Sequence, residues 1–179
     1  MRLLVHACCA PCSIPALRHF AGEDTLYLYY NPNVHPFREY RSRLDSWLQL
    51  MQEERLTHRV LGYEPEEWMR TVAFHEERRC ELCYRLRLGK AAEVAAQEGC
   101  EALTTTLFAS PYQKHELLER EGEEACMSAG IRFVVWDGSA YYRQARQEAR
   151  DRGLYAQSYC GCLLSERERY DKSRRKLPS

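Results

Sequence analysis

Five short apolar runs alternate with longer segments whose apolar residues recur at helical spacing, and this alternation restricts the fold more than any other feature. The pattern belongs to α/β proteins, because each parallel strand pair needs a crossover connection, usually a helix. Strands are expected at residues 2–7, 25–30, 58–61, 101–106 and 132–136. A first helix is expected over 13–21, capped by Ser13 and tolerating Pro15 in its first turn. A second, over 38–55, places Tyr40, Leu44, Trp47, Leu48 and Met51 on one stripe. A third, over 80–98, buries Tyr84, Leu88, Ala91, Ala92 and Ala95 and stops at Gly99. Residues 113–129 carry Leu118, Ala125, Cys126 and Ala129 on one side, and 140–152 read as a weaker, more polar helix. Residues 64–74, with the charged run to Arg79, form an excursion between two β–α units. The expected architecture is one α/β domain over 1–179, with a doubly wound, mostly parallel sheet and its ligand site at the C-terminal strand ends. The basic tail 172–179 is expected to fray.

A chain of 179 residues buries roughly 70% of its unfolded surface and needs no disulfide staple. Its 45% hydrophobic and 29% charged residues exclude global disorder. The 26 basic and 26 acidic residues cancel, so a nucleic-acid site must be a local basic patch. No apolar run approaches the ~18 residues that span a bilayer. The first residues reach Cys8 and Pro11 too soon for a signal-peptide core. A soluble, cytoplasmic protein without a membrane partner is expected. In a reducing compartment its nine cysteines point to metal or redox chemistry.

Seven of those cysteines form three groups: Cys8, Cys9 and Cys12; Cys80 and Cys83; Cys160 and Cys162. The first group follows the first strand, where open α/β sheets place their sites and where a helix N-terminus stabilises thiolates. Cys80 and Cys83 share a face at a helix start, and Arg87 extends that face and could offset negative charge. Thiolates select zinc, copper(I) or iron–sulfur clusters, so Cys8, Cys9, Cys80 and Cys83 could hold tetrahedral zinc or a four-iron cluster. Adjacent cysteines strain to chelate one ion yet could reach two irons of a cube, which favours the cluster over structural zinc. Cys160-Gly161-Cys162 would close a very small disulfide ring, and such strained rings are labile and catalytic. The alternative is two more metal ligands. Cys100 and Cys126 read as small buried hydrophobes.

Asn31, Asn33 and His35, in the turn-rich segment after the second strand, could contact a ligand, although Asn33 alone reads better as turn-forming. Thr104, Thr105 and Thr106 end the fourth strand, and Ser110 is a cap or a phosphate contact. Basic residues gather at Arg38, Arg41 and Arg43, at Arg85, Arg87 and Lys90, and at Lys172, Arg174, Arg175 and Lys176. Phe37, Tyr40, Tyr84 and Tyr170 lie beside them and could stack on bases. A solvated helix face explains these charges equally well.

As an ordered set, Cys8-Cys9-Ala10-Pro11-Cys12, Tyr30-Asn31-Pro32-Asn33, Arg79-Cys80-x-x-Cys83-Tyr84 with Arg87-Leu88, Thr104-Thr105-Thr106-Leu107 with Ser110-Pro111, and Gln157-x-Tyr159-Cys160-Gly161-Cys162 with Ser165 resemble the QueH family of cobalamin-independent epoxyqueuosine reductases. The resemblance spans nearly the whole chain. It implies reduction of the epoxycyclopentanediol of epoxyqueuosine to the alkene at the tRNA wobble position, the last step of queuosine synthesis. It also implies a [4Fe-4S] cluster on Cys8, Cys9, Cys80 and Cys83, a redox-active pair at Cys160 and Cys162, and a fold similar to adenine-nucleotide α-hydrolases. An additional iron is associated with the site in the family. Some members carry Asp where this chain has Cys12, which could ligate that iron or substitute in the cluster. Asn31, Asn33, His35, Arg87, Thr105, Ser110 and Tyr159 are candidate substrate contacts, with Tyr159 or His35 as proton donor. The implied partners are tRNA carrying epoxyqueuosine and an electron donor that the sequence does not name.

Three rival readings fit less. ATP-dependent tRNA-modifying enzymes of related folds need a glycine-rich phosphate loop after the first strand, and residues 8–13 contain no glycine. A zinc-stabilised RNA-binding module without catalysis leaves Cys160 and Cys162 without purpose. A simple thiol–disulfide oxidoreductase leaves the other five clustered cysteines without one.

Overall fold

The structure, a computed structural model, describes residues 1–171. Its five strands are β1 (Arg2–Ala7), β2 (Asp24–Tyr29), β3 (His58–Val60), β4 (Ala102–Thr105) and β5 (Arg132–Phe133). All pair in parallel, in the order β3-β2-β1-β4-β5. The helices are α1 (Ala10–His19), α2 (Phe37–Glu53), α3 (Pro65–Val72), α4 (Arg79–Gln97), α5 (His115–Ala129), α6 (Tyr142–Asp151) and α7 (Leu163–Tyr170). The expected basic tail lies outside the described residues.

Strand residues alternate between two cores, as a period of two requires. Leu3, Val5, Ala7, Tyr27 and Tyr29 bury with Ile14 of α1 and with Trp47, Leu50 and Met51 of α2. Leu4, Leu26, Leu28 and Leu103 bury with Ala91, Ala92 and Ala95 of α4 and Cys126 of α5. Helices therefore cover both faces, and the expected doubly wound α/β class holds. The expected stripes are buried except at Leu48, Ala125 and Ala129, which are half-buried, and Cys100 and Cys126 are core hydrophobes.

Four local expectations need correction. Helix α1 starts at Ala10, with Cys9 in extended conformation as its N-cap. Ser13 is therefore inside the helix, its hydroxyl donating to the Cys9 carbonyl (2.9 Å), and Pro15 also lies beyond the first turn. Strand β5 ends at Phe133 because the Trp136 indole Nε1–H donates to the Thr105 carbonyl (3.1 Å) where a longer ladder would run. The excursion after β3 contains α3, and the segment after Cys162 forms α7, which the sequence pattern did not announce. Finally, Arg43, Arg87, Tyr40 and Tyr84 are buried, so they belong to no surface basic or stacking patch.

Leu28, fully buried in β2 between α4 and the sheet, tests the second core. Leu28→Ala is expected to cost about 2–5 kcal/mol in urea unfolding, the usual range for a buried leucine truncation.

Candidate metal and substrate site

Strand order reverses at β1, whose neighbours β2 and β4 lead to connections on opposite sides of the sheet. Crevices form at such switch points outside the carboxyl ends of the strands. Here the end of β1 delivers Cys8 and the end of β4 delivers Thr106. The Cys8 backbone N–H donates to Thr106 Oγ1 (3.0 Å), and that hydroxyl lies 3.4 Å from Cys8 Sγ.

The thiols of Cys8, Cys9 and Cys12 lie within 4.8 Å of one another, a grouping that could hold a metal ion. The Cys8 and Cys9 sulfurs are 3.6 Å apart. Two sulfurs on one tetrahedral zinc are about 3.8 Å apart, from a metal–sulfur distance of about 2.3 Å. The observed separation is therefore compatible with a single ion as well as with the expected cluster. Burial raises the Cys9 thiol, but S–H donation from Cys12 and Cys8 and the nearby Arg43 charge outweigh it and hold Cys9 well below the ordinary thiol range. Cys12, which donates to both neighbours, is pushed well above it.

A cavity of about 660 Å³ opens over these groups and brings together Cys8, Cys12, Cys80, Cys83, Cys160 and Cys162. Cys80 and Cys83 enter from the first turn of α4, as expected. Burial raises both thiols, Cys83 to about 12, with the Arg87 charge opposing the rise at Cys83. All nine cysteines are free thiols. Cys160 is exposed to the cavity, where desolvation pushes its thiol up against the opposing Arg87 charge, whereas Cys162 is buried at the N-cap of α7, accepting from Ser165 N at 3.3 Å.

Beneath the cavity Arg87 is 1% exposed. Its Nη2 donates to Asn31 Oδ1 (2.6 Å) and its Nη1 faces Cys83 Sγ (4.0 Å), while Nε is buried without a partner among the described residues. Burial works against its charge, while Cys83, Cys8 and Cys160, in their thiolate forms, favour it. A buried cation needs a nearby anion, and thiolates or a thiolate-bound metal group supply one. The donor set and this countercharge fit a thiolate-ligated metal centre.

The candidate substrate contacts separate into two sets. Asn33, Ser110 and Tyr159 line the cavity. Asn31 does not: its amide bridges Arg87 and the Ala7 carbonyl (2.9 Å) at the end of β1. Thr105 is also internal, its hydroxyl accepting from Leu107 N (3.2 Å) and sharing a hydrogen with His6 Nδ1 (2.9 Å). Buried His6 is shifted down to about 3, first by burial and then by Arg87, and so is neutral. His35 is buried against Trp68, with both ring nitrogens unpartnered among the described residues.

Sequence reasoning missed the cavity's outer wall. Arg79, Lys114, Arg146 and Arg169 line it, together with Tyr112 and Tyr142. These residues come from four separate segments, so no single local run joins them, although Arg79 heads the Cys80–Cys83 motif. Gln157, in sequence only one position of the last motif, donates through Nε2 to Cys9 Sγ (2.9 Å). Arg43, in sequence one of three neighbouring basic residues of α2, reaches the backbone of residues 159 and 160.

Fold and site together define a parallel α/β protein with a thiol-lined pocket at its topological switch point. The family model described as "Epoxyqueuosine reductase QueH" matches residues 3–168, and the chain belongs to that family. It is 36% identical over 176 residues to the epoxyqueuosine reductase QueH of Dehalococcoides mccartyi, covering 96% of each chain. With the Thermotoga maritima protein of the same name it shares 32% identity, covering 95% of this chain and 93% of the relative. Among solved structures it is similar to a predicted subunit of tRNA methyltransferase from Methanocaldococcus jannaschii. That likeness has a TM-score of 0.53 at 13% identity, covers 83% of this chain and 76% of the other, and shows the fold alone. No helix among the described residues is long and apolar enough to cross a membrane.

Asn31→Leu removes both internal hydrogen bonds while leaving every cavity-lining side chain in place. It is expected to lower stability on the order of 2–4 kcal/mol, because a carbonyl and a buried guanidinium lose their partners. Thermal unfolding of the metal-free protein checks this.

Proposed function

We propose that this protein reduces epoxyqueuosine to queuosine at the wobble position of tRNA, in the cytoplasm, using thiolate-bound iron and the Cys160/Cys162 pair. One observation carries the reading: six of the seven clustered cysteines of a QueH-family chain line a single cavity, and the seventh, Cys9, lies against Cys8.

In this reading Cys8, Cys9, Cys80 and Cys83 hold a [4Fe-4S] cluster, and Cys12, within the Cys8/Cys9 grouping, holds an additional iron or joins the cluster. Such a group supplies one-electron transfer and, at an open iron, Lewis acidity toward an epoxide oxygen. The protein's own residues supply the rest. Removing the epoxide oxygen as water, with formation of the alkene, consumes two electrons and two protons. Oxidation of the Cys160 and Cys162 thiols to a disulfide releases two of each, so the step balances. An external electron donor then restores the dithiol.

Of the two proton-donor candidates, Tyr159 lines the cavity, and its hydroxyl, which donates to the His35 carbonyl (2.6 Å), would have to turn from that bond to deliver a proton. Burial, aided by Glu39 and Glu166, raises its hydroxyl and keeps it protonated. Asn33 Oδ1 and Gln157 Oε1 are buried acceptors without a partner among the described residues, and both side chains line the cavity. They suit the hydroxyls of a cyclopentanediol, since buried polar atoms rarely stay unpaired. The cationic outer wall, with Tyr112 exposed on it, suits the phosphates and bases of an anticodon loop.

The reading is tested by anaerobic purification, iron, sulfide and zinc analysis, and an assay on epoxyqueuosine-containing tRNA. Iron and sulfide near four per chain, with visible absorbance bleached by dithionite, are expected. Iron beyond four would mark the additional site. Cys160→Ser and Cys162→Ser are each expected to abolish multiple turnover while sparing that absorbance. Tightly bound zinc with no cluster after anaerobic reconstitution would instead establish a zinc-stabilised RNA-binding module, the reading that the Cys8–Cys9 spacing also permits.

A further inference from the structure

We propose that Arg43 is a positioning residue for the Cys160-Gly161-Cys162 turn, holding the two thiols in the arrangement that lets them act as a pair. The proposal rests on the reading of Cys160 and Cys162 given above. Arg43 is 117 positions from Cys160, and nothing in its local sequence separates it from the surface arginines of α2.

Its guanidinium is almost wholly buried, at 2% exposure. One terminal nitrogen donates to the Cys160 carbonyl (2.8 Å) and the other to the Tyr159 carbonyl (3.0 Å). The third arm, Nε, donates to Glu39 one turn earlier (2.7 Å), which fixes the fork from behind. The guanidinium also lies 5.3 Å from the centre of the Tyr159 ring. A planar fork is the one side chain that can span two successive carbonyls and a carboxylate together; an ammonium is a point donor.

Helix α2 extends the attachment. Glu39, Arg43 and Ser46 share one face by helical spacing. Glu39 accepts from the Tyr155 hydroxyl (2.6 Å), and Ser46 Oγ accepts from Tyr155 N (2.8 Å). Residues 155–160 thus run along a rail of three polar side chains. From the other side, His35 N donates to the Gly161 carbonyl (2.8 Å) and the Tyr159 hydroxyl donates to the His35 carbonyl (2.6 Å).

This wrapping explains Gly161. Its φ of +141° is a conformation that side chains rarely adopt. A Cβ there would lie 3.2 Å from Arg43 Nη1, 3.2 Å from Asn33 Nδ2 and 3.0 Å from Val34 Cγ2. The turn has no regular secondary structure of its own, so side-chain tethers must set its shape. A misplacement near 1 Å at reacting groups costs about 100-fold in rate.

Arg43 also contributes charge beside Cys9 and Cys160, and the two roles are separable. Arg43→Lys keeps the charge and loses the fork, whereas Arg43→Met loses both. Three readouts apply to each: iron content and visible absorbance, kcat and KM on epoxyqueuosine-tRNA, and the glutathione ratio at which Cys160 and Cys162 are half-oxidised. If Arg43 positions the turn, both variants keep their iron, lower kcat about 10- to 100-fold with KM little changed, and shift the glutathione ratio at least tenfold. If Arg43 acts by charge, Arg43→Lys matches the wild-type protein in kcat and ratio, and the proposal is overturned. Gly161→Ala perturbs the same contact from the turn and is expected to reproduce the Arg43→Lys behaviour, which covers the case in which the α2 variants do not fold. Full multiple turnover in Cys160→Ser and Cys162→Ser would instead defeat the underlying redox reading. The rate of Cys160 alkylation would still report on the clamp: an unchanged rate in Arg43→Lys overturns it, and a changed rate supports it.

Discussion

The reversal of strand order at β1 is the constraint on which the site depends. Parallel strands require crossovers, and where successive crossovers leave opposite faces of the sheet, the loops at the carboxyl ends part and leave a crevice. The turn after β1 is the floor of that crevice, and it carries Cys8, Cys9 and Cys12. Helix α4, which covers the β4 side, brings Cys80 and Cys83 over the same floor, and the loop before α7 brings Cys160 and Cys162. Three cysteine groups, 68 and 77 positions apart at their nearest members, meet because the topology leaves one place for them.

Charge in a dry environment shapes what surrounds the thiols. Two arginines, Arg43 and Arg87, are almost wholly buried at this end of the sheet. Arg43 has a carboxylate partner in Glu39, with the Cys9 thiol nearby. Arg87 is bonded to an amide oxygen and surrounded by thiols. These cations oppose the rise that burial imposes on the surrounding thiols, Arg87 at Cys83 and Arg43 at Cys160, and Arg43 helps to hold Cys9 low. His6 beneath the site is kept neutral by the same burial and the Arg87 guanidinium, leaving Arg87 as the positive charge at that level.

Sequence periodicity identified the five strands and the stripes of α2 and α4, because burial on a regular element repeats at a fixed interval. It misread α1, where capping depends on backbone conformation at Cys9 and not on the nearest serine. It missed α7, whose cap is a cysteine and whose apolar content is small. The cysteine groups were legible because their spacings are unusual. The roles of individual polar residues were not. Asn31 and Asn33 are two positions apart in one loop, yet Asn31 is an internal strut and Asn33 faces the cavity.

The sequence alone determined that this is a parallel α/β chain of the QueH type with three clustered thiol groups, since period, spacing and motif order are properties of local sequence. Tertiary structure decided which thiols share a pocket, which arginines are interior, and which side chains close on the Cys160–Cys162 turn. Those facts rest on contacts between residues 56 to 148 positions apart, from Arg87 against Asn31 to Gln157 against Cys9. Such contacts leave no local period, because the fold alone sets the distance between the partners.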